Sequence, residues 1–502
     1  VNTVLAPLLT LTETIFLACL LIPPMRLAAT NGFRRRLYAH RGMSVFIALA
    51  PVGYLGGIVL LALFFPFLLH FVFLMGLCAW LAYEWRARAD YGRARGLPPG
   101  TLRMLLPDQW DDQEFYAKHF ARYGPVFKMN DLYRPAACML GISRARAFLD
   151  EHRDALRVPP FPFGRFIPGG FLRFTDAERH TTYRPYFQHA FTLDVYRIRQ
   201  EWIEETMRAH FQAWAKEMSN VGLYLKPYIQ RMLQDILARL FFGLMPDTPD
   251  ARAAQNDFVT VTPQNAHRVS DESVKRALIR LKHMLKAQAA RETCFASEME
   301  RAHPNALQDD FLAYNLIYFQ ILARNDLTGL FYWMLQMLVH HPEWLAQLRA
   351  ADAPPDLATR IVLETLRMEQ SEFLIRQATR DLRFENFVIP KGWFVRLCIR
   401  ESHRSSDAFA EPARFNPDRF LTHRPTREEY MPFGAFEKAC LGEALTLKLG
   451  TLFVTELARG YDWRVTQSGP PEFSGNHWQP SSALQIILTP RASSAACVEQ
   501  PA

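Results

Sequence analysis

The stretch Phe433-Gly434-Ala435-Phe436-Glu437-Lys438-Ala439-Cys440-Leu441-Gly442 decides the reading of this chain. It sets one cysteine in a loop just before a helical run, with a phenylalanine seven residues upstream and a basic residue two upstream. A thiolate that ligates iron needs these parts: a deprotonated sulfur, backbone N–H groups aimed at it, and a snug apolar cover. A lone cysteine is more often a small buried hydrophobe, so the loop acquires meaning only from partners elsewhere.

Two such partners lie upstream. Glu364-Thr365-Leu366-Arg367 places an acid and a base three apart inside Ala358–Met368, which reads as a helix. Alone this is an ordinary, weakly stabilising pair. Phe415-Asn416-Pro417-Asp418-Arg419-Phe420 then supplies a second arginine in a Pro-bounded irregular segment. In this order the three motifs resemble the Glu-x-x-Arg helix, the Phe-x-Pro-x-Arg meander and the cysteine loop of the cytochrome P450 family. The resemblance covers roughly residues 101–490. It implies a mainly α fold with a small β-sheet region and a buried network of Glu364, Arg367 and Arg419 beneath the loop. It also implies heme b (iron protoporphyrin IX) as cofactor, with Cys440 as the axial thiolate and Phe433 in the loop that covers it.

A buried haem carries two propionates that need cationic or donor partners. His180-Thr181-Thr182-Tyr183-Arg184 puts His180 and Arg184 four apart, on one helical face, and resembles a His-x-x-x-Arg of bacterial family members. Arg376, in Leu374-Ile375-Arg376-Gln377-Ala378-Thr379, stands at the family's distance after the Glu-x-x-Arg helix, and Lys438 adds a further cation. Two departures mark the cysteine loop. Phe436 stands where the family has glycine, which implies a locally different loop because side chains disfavour the tight turn. Lys438 stands where the family has arginine and pairs as a point charge instead of a planar fork.

Leu312–His341 reads as one long helix ending at Pro342. Oxygen-activating relatives carry an acid–alcohol pair on the corresponding helix, over the haem. Here the local sequence is Ala323-Arg324-Asn325-Asp326-Leu327-Thr328-Gly329. Counted back from His341-Pro342, Asp326 takes the alcohol position and Asn325 the acid position. Matched instead on the alanine and the acid, the alcohol position falls on Leu327 with Thr328 just beyond. Three readings follow. Asp326 relays protons to bound dioxygen; or Arg324 anchors a substrate carboxylate that supplies the acid, as in peroxide-using relatives; or the iron performs dehydration or isomerisation and needs no relay.

Composition limits the rest. The chain has 502 residues, 49% of them hydrophobic, and a formal charge of +8 from scattered basic residues. No dense basic block interleaved with aromatics marks a nucleic-acid surface. Seven cysteines without a CxxC argue against zinc and a disulfide framework and fit a reducing compartment. Ser44–Tyr83 runs 40 residues without a formal charge, flanked by Arg34, Arg35, Arg36 and Arg41 before and Arg86, Arg88, Arg93 and Arg95 after. About 20 residues cross a bilayer core, so the run is long enough for a hairpin with both basic ends in the cytoplasm; Val4–Ile22 is a further candidate span.

The expected organisation is therefore a membrane-embedded module at 1–88, with transmembrane helices at 4–22 and within 44–83. A basic Pro/Gly hinge at 89–100, a haem-thiolate domain at 101–490 and a disordered tail at 491–502 follow. The expected function is monooxygenation of an apolar, membrane-partitioned small molecule or lipid by a multi-pass membrane protein with its catalytic domain in the cytoplasm. Electrons would come from a separate ferredoxin or flavoprotein reductase, and a membrane-protein partner would account for the extra hairpin. The competing expectations are a peroxide-using or non-oxygenase enzyme of the same type, and a non-catalytic haem subunit of a membrane complex.

Overall fold

The computed structural model describes residues 96–102, 112–131, 134–159, 166–218, 221–262, 269–370, 373–405, 409–474 and 477–491, with a helical stretch at 71, 74–79, 81 and 82. The expected span at 4–22, most of the run at 44–83, most of the hinge at 89–100 and the tail after residue 491 lie outside these residues. Among the described residues no helix is long and apolar enough to cross a membrane.

The helices that carry the site are α1 (Ala177–Ala190), α2 (Leu193–Met218), α3 (Leu225–Phe242), α4 (Asp310–His340), α5 (Leu357–Thr365) and α6 (Glu443–Gly460). Helix α4 is the long one expected from the sequence. Asp309 caps it by accepting from the Phe311 amide at 2.7 Å, and Asp310 favours the positive end of the helix dipole. It stops short of Pro342, because the residue before proline leaves the helical region. Most of its residues are buried on every side, among them Leu316, Ile317, Phe331 and Met334, as befits the centre of a helical core. It packs against α3, α5 and α6, and the Phe331 ring stacks on Phe453 of α6 at 4.0 Å. Helices α5 and α6 approach closely at Gly450, where a Cβ would sit 3.1 Å from the Val362 side chain.

Beside the helices lies a five-stranded sheet. Its strands are β1 (Val126–Asp131), β2 (Arg134–Met139), β3 (Leu156–Arg157), β4 (Leu374–Ala378) and β5 (Phe394–Leu397), in the order β1-β2-β5-β4-β3. The hairpin of β1 and β2 runs from Val126↔Met139 to Asp131↔Arg134; β2 and β5 pair in parallel, and the other neighbours are antiparallel. Strand β4 places Arg376 opposite Val395.

The helix expected over Ala358–Met368 instead divides. It is α-helical to Thr365 and then widens into a π-helical turn, Leu366–Gln370, that carries Arg367; such turns recur at functional positions. Arg367 and Glu364 are fully buried. The Glu364 carboxylate accepts from Arg367 Nε at 2.7 Å and Nη2 at 2.9 Å, from Arg419 Nε at 3.0 Å and from the Asn416 amide at 2.8 Å. Arg367 also donates to the carbonyls of His403 at 2.8 Å and Arg414 at 3.2 Å. Removing one member would strand a charge in the core, at about 3–5 kcal/mol.

The network reaches the cysteine loop through His403. This residue is fully buried, and the Met431 amide donates to its Nε2 at 2.9 Å. Burial first, and the Arg367 charge second, push the imidazole down to about 3 from 6.5, so it stays neutral. The unfolded chain therefore takes up a proton below pH 6.5 that the folded chain refuses until about pH 3. The stability His403 contributes is present above that window and is lost as pH falls through it. His403→Gln keeps an acceptor for Met431 but cannot be protonated. Urea unfolding at neutral and mildly acidic pH should show a smaller acid loss in the variant than in the parent; equal losses would refute the role.

Candidate active site

The loop that ends in Cys440 is a series of tight turns. The Cys440 amide donates to the Phe433 carbonyl at 2.8 Å, and the Ala439 amide to that of Phe436 at 3.1 Å. The Gly442 amide donates to Cys440 Sγ at 3.3 Å, just ahead of the first turn of α6. Phe433 is half-buried against the helical core. Phe436 holds φ at +56°. The backbone thus takes the left-handed conformation that glycine adopts freely, at roughly 1–2 kcal/mol for a residue with a Cβ. The tight turn is therefore made with a phenylalanine in it. The side chain is held: the guanidinium carbons of Arg146 and Arg153 lie over its ring, 4.6 and 5.1 Å from the centroid.

Cys440 has an accessible side chain, yet protein atoms enclose its sulfur so deeply that burial is the main cause pushing its pKa up to about 11. Both facts hold when the sulfur faces an internal cavity. Asp326 of α4 is near enough to raise this pKa further, while the Gly442 amide and Arg173 lower it. The roof of the cavity follows from the burial pattern of α4. Phe319, Leu322, Ala323 and Asp326 fall at i, i+3, i+4 and i+7 and are less buried than the residues beside Leu316, Ile321 and Leu327 that pack the core. Of these, Asp326 is near enough to the thiol to act on its charge, while the Phe319 ring packs against Phe171, Phe187 and Phe191.

The neighbouring residues of the same segment turn elsewhere. Arg324 Nη1 donates to Gln234 of α3 at 3.0 Å, and burial lowers its pKa. Gln234 also accepts from Gln320 at 3.2 Å. The Thr328 hydroxyl is buried and donates to the Arg324 carbonyl at 2.7 Å, within its own helix. Asn325 is half-buried beside Asp326.

A cluster of cations closes the side of the cavity. Arg184 Nη2 donates to the Ala439 carbonyl at 2.8 Å, bracing the residue before Cys440. Lys438 Nζ donates to the Thr175 carbonyl at 3.2 Å, and Arg376 Nη1 to that of Ile375 at 3.0 Å. His180, one turn before Arg184 on α1, is buried. These groups disfavour one another's charge. Burial, then Lys438, Arg184 and Arg376 bring His180 down to about 4; burial and Arg376 bring Lys438 to about 8; burial and Arg173 bring Arg376 to about 10. The acids within reach, Glu437 and Asp176, are exposed, and Asp176 already caps α1 by accepting from the Arg179 amide.

Such a cluster calls for a dianion, and a haem placed over Cys440 brings one in its two propionates. The residues present fit that group: a thiol with an accessible sulfur, the central helix α4 close to it, and cations at one side. Sequence reasoning did not single out Arg173, His403, or Asn315. Asn315 holds the loop before α1 to α4 by accepting from the Leu172 amide at 2.7 Å and donating to the Gly170 carbonyl at 3.2 Å. Nothing in their local sequence distinguishes them from ordinary surface or core residues.

The comparisons agree with this geometry. The sequence model described as Cytochrome P450 matches residues 356–489. Abscisic acid 8'-hydroxylase 3 of Oryza sativa subsp. indica is 25% identical over 425 residues, covering 75% of this chain and 84% of its own. Abscisic acid 8'-hydroxylase 1 of Arabidopsis thaliana is 24% identical over 432 residues, covering 78% and 91%. Among solved structures, retinoic acid bound cyanobacterial CYP120A1 superposes with a TM-score of 0.60 at 20% identity, covering 76% of this chain and 95% of its own.

If the cluster holds the propionates, Arg376→Leu should weaken iron protoporphyrin IX binding roughly tenfold or more, the worth of one charged hydrogen bond. Titration of the apo-protein with hemin reads this directly. Unchanged affinity would exclude Arg376 from that role.

Proposed function

This chain belongs to the cytochrome P450 family and binds heme b, and from that premise we propose that it hydroxylates an apolar, membrane-partitioned small molecule. It is a monooxygenase-type oxidoreductase. The observation that carries the mechanism proposal is the nearness of Asp326, on the central helix α4, to the Cys440 thiol.

Bound over Cys440, the haem supplies reductive activation of dioxygen, so that one oxygen atom enters the substrate and the other leaves as water. That stoichiometry consumes two electrons and two protons. The protein's part is to hold the cofactor, exclude bulk water and deliver protons at a fixed place. Cys440 would ligate the iron, its sulfur supported by the Gly442 amide. Arg184, Arg376, Lys438 and His180 would hold the propionates. Asp326 is the proton donor, passing protons through water to the space above the cysteine. Thr328, whose hydroxyl is committed to its own helix, takes no part in that step, and Arg324 stiffens the contact of α4 with α3.

Leu322 and Ala323, on the same helix just before Asp326, offer the substrate apolar contact. The names of the relatives and of the solved neighbour specify abscisic acid and retinoic acid, both carboxylic acids, and such molecules are the first to try. Electrons come from a separate ferredoxin or flavoprotein reductase that docks on the cysteine side. Membrane association, through the uncharged run at 44–83, brings the enzyme to a substrate dissolved in lipid. Phe71, Leu74, Met75 and Leu81 of that run are exposed along a helical stretch.

The test is the absorption spectrum of the reduced, carbon-monoxide-bound protein. A strongly red-shifted Soret band that Cys440→Ser abolishes identifies the ligand; a band typical of histidine ligation would end the proposal. For the proton step, Asp326→Asn should lower oxygen-driven turnover by roughly 10²–10⁴-fold, the usual worth of a placed acid, with haem content unchanged. Undiminished turnover would remove Asp326 from the mechanism.

A further inference from the structure

Phe436 is a left-handed residue with a Cβ in a loop whose task is to hold a sulfur still. Among the described residues, non-glycine positions with positive φ are few: Asp247, Asn305, Glu385, Glu411 and Phe436. Four of these are polar or charged. Phe436 alone among them carries a bulky ring, and that ring lies under two guanidinium groups.

The two arginines come from the sheet side of the molecule. Arg146 belongs to the helix Ile142–Glu151, and Arg153 to the single turn Arg153–Ala155 that leads into β3. The ring also packs against the apolar cluster of that region, which includes Met431, Ala435, Phe148 and Ala155. Backbone hydrogen bonds carry its position to the sulfur. Phe436 O accepts from the Ala439 amide, and Cys440 N donates to Phe433 O, so residues 433–440 close as one compact unit. Glycine at this position would hold the same φ by its own freedom. With phenylalanine, something outside the backbone has to hold it.

We propose that Phe436 is a positioning residue for the thiolate: its ring, gripped by Arg146 and Arg153, holds the left-handed turn that fixes Cys440 relative to the Gly442 amide. The clamp ties the cysteine loop to the sheet side of the protein, independently of the Glu364 network that supports the loop from the helical side. Aromatic rings and guanidinium groups attract through the ring's negative face, and the ring's packing adds to that hold. Hydrogen bonding to an iron-bound sulfur sets the iron's reduction potential. The clamp therefore bears on the potential as well as on retention of the ligand.

The inference rests on Cys440 being the iron ligand, which the Cys440→Ser spectrum decides separately. The experiment compares Phe436→Ala with Phe436→Gly in the full-length, haem-loaded protein, following haem content, the iron's midpoint potential, and decay of the red-shifted carbon-monoxide band in mild denaturant. Alanine keeps the cost of the left-handed turn and loses the ring. Band decay should accelerate about tenfold, the equilibrium penalty of such a residue, with a shifted midpoint potential. Glycine also loses the ring but needs no clamp, so both quantities should return close to the parent's. Equal behaviour of the two variants, or no change in alanine, overturns the proposal.

Should Phe436→Ala fail to hold haem, Arg146→Gln with Arg153→Gln, made in the parent and in Phe436→Gly, answers the same question. Faster decay in the parent background and no effect in the glycine background supports the clamp. Equal effects in both backgrounds refute it, because only the lost positive charge is common to the two.

Discussion

The constraint on which the rest of this structure depends is the need to satisfy the Glu364 carboxylate where no water reaches it. Its carboxylate meets Arg367, Arg419 and the Asn416 amide at once, and each of these fixes a different stretch of chain. Arg367 lies in a widened helical turn and pins the carbonyls of His403 and Arg414. Arg419 holds the carbonyls of Ala410, Glu411 and Arg414. The meander is irregular because its backbone oxygens are spoken for by guanidinium groups and not by a ladder or a helix. An ion pair of this kind adds little net stability over an apolar substitute. What it adds is uniqueness, since no slipped arrangement satisfies all four contacts to the carboxylate.

From that knot the order passes to the cysteine. His403 is held by Arg367 through its carbonyl and holds Met431 through its ring. The Tyr430 hydroxyl donates to Leu363 O on α5 at 2.8 Å, and Gly434 closes a turn onto Met431. The loop thus enters its last turns already oriented. On the other side of the sulfur, Arg184 reaches from α1 to Ala439. The positive charges beside the cavity are costly among themselves, which is why burial and mutual repulsion lower Arg376, Lys438 and His180 together. A dianionic cofactor turns that cost into affinity.

How much of this the sequence discloses varies with the kind of residue. The long α4 was legible because it is apolar over many turns and ends at Pro342; its bounds came out within two residues. The association of Glu364, Arg367 and Arg419 rested on ordered motifs, and the structure supplies the hydrogen bonds that join them. Which face of α4 looks toward the sulfur was not legible. Arg324, Asp326 and Thr328 are near neighbours in sequence, and only the placement of Gln234 on α3 shows that Arg324 turns away while Asp326 remains on the open stripe. His403 and Asn315 act through backbone groups distant in sequence, and single-sequence patterns carry no record of such partners.

The two departures in the cysteine loop illustrate how a fixed geometric demand tolerates different chemistry. Phe436 holds φ at +56°, a conformation that side chains disfavour, and its ring is in contact with Arg146 and Arg153. Lys438 behaves in the same way. A lysine cannot form the planar fork of an arginine, yet its ammonium reaches the Thr175 carbonyl and stays in the company of Arg184 and Arg376. In both cases contacts with neighbouring elements help hold the loop that carries the sulfur. A motif judged residue by residue would score these sites as losses; judged by what holds the thiol in place, they are substitutions of one restraint for another.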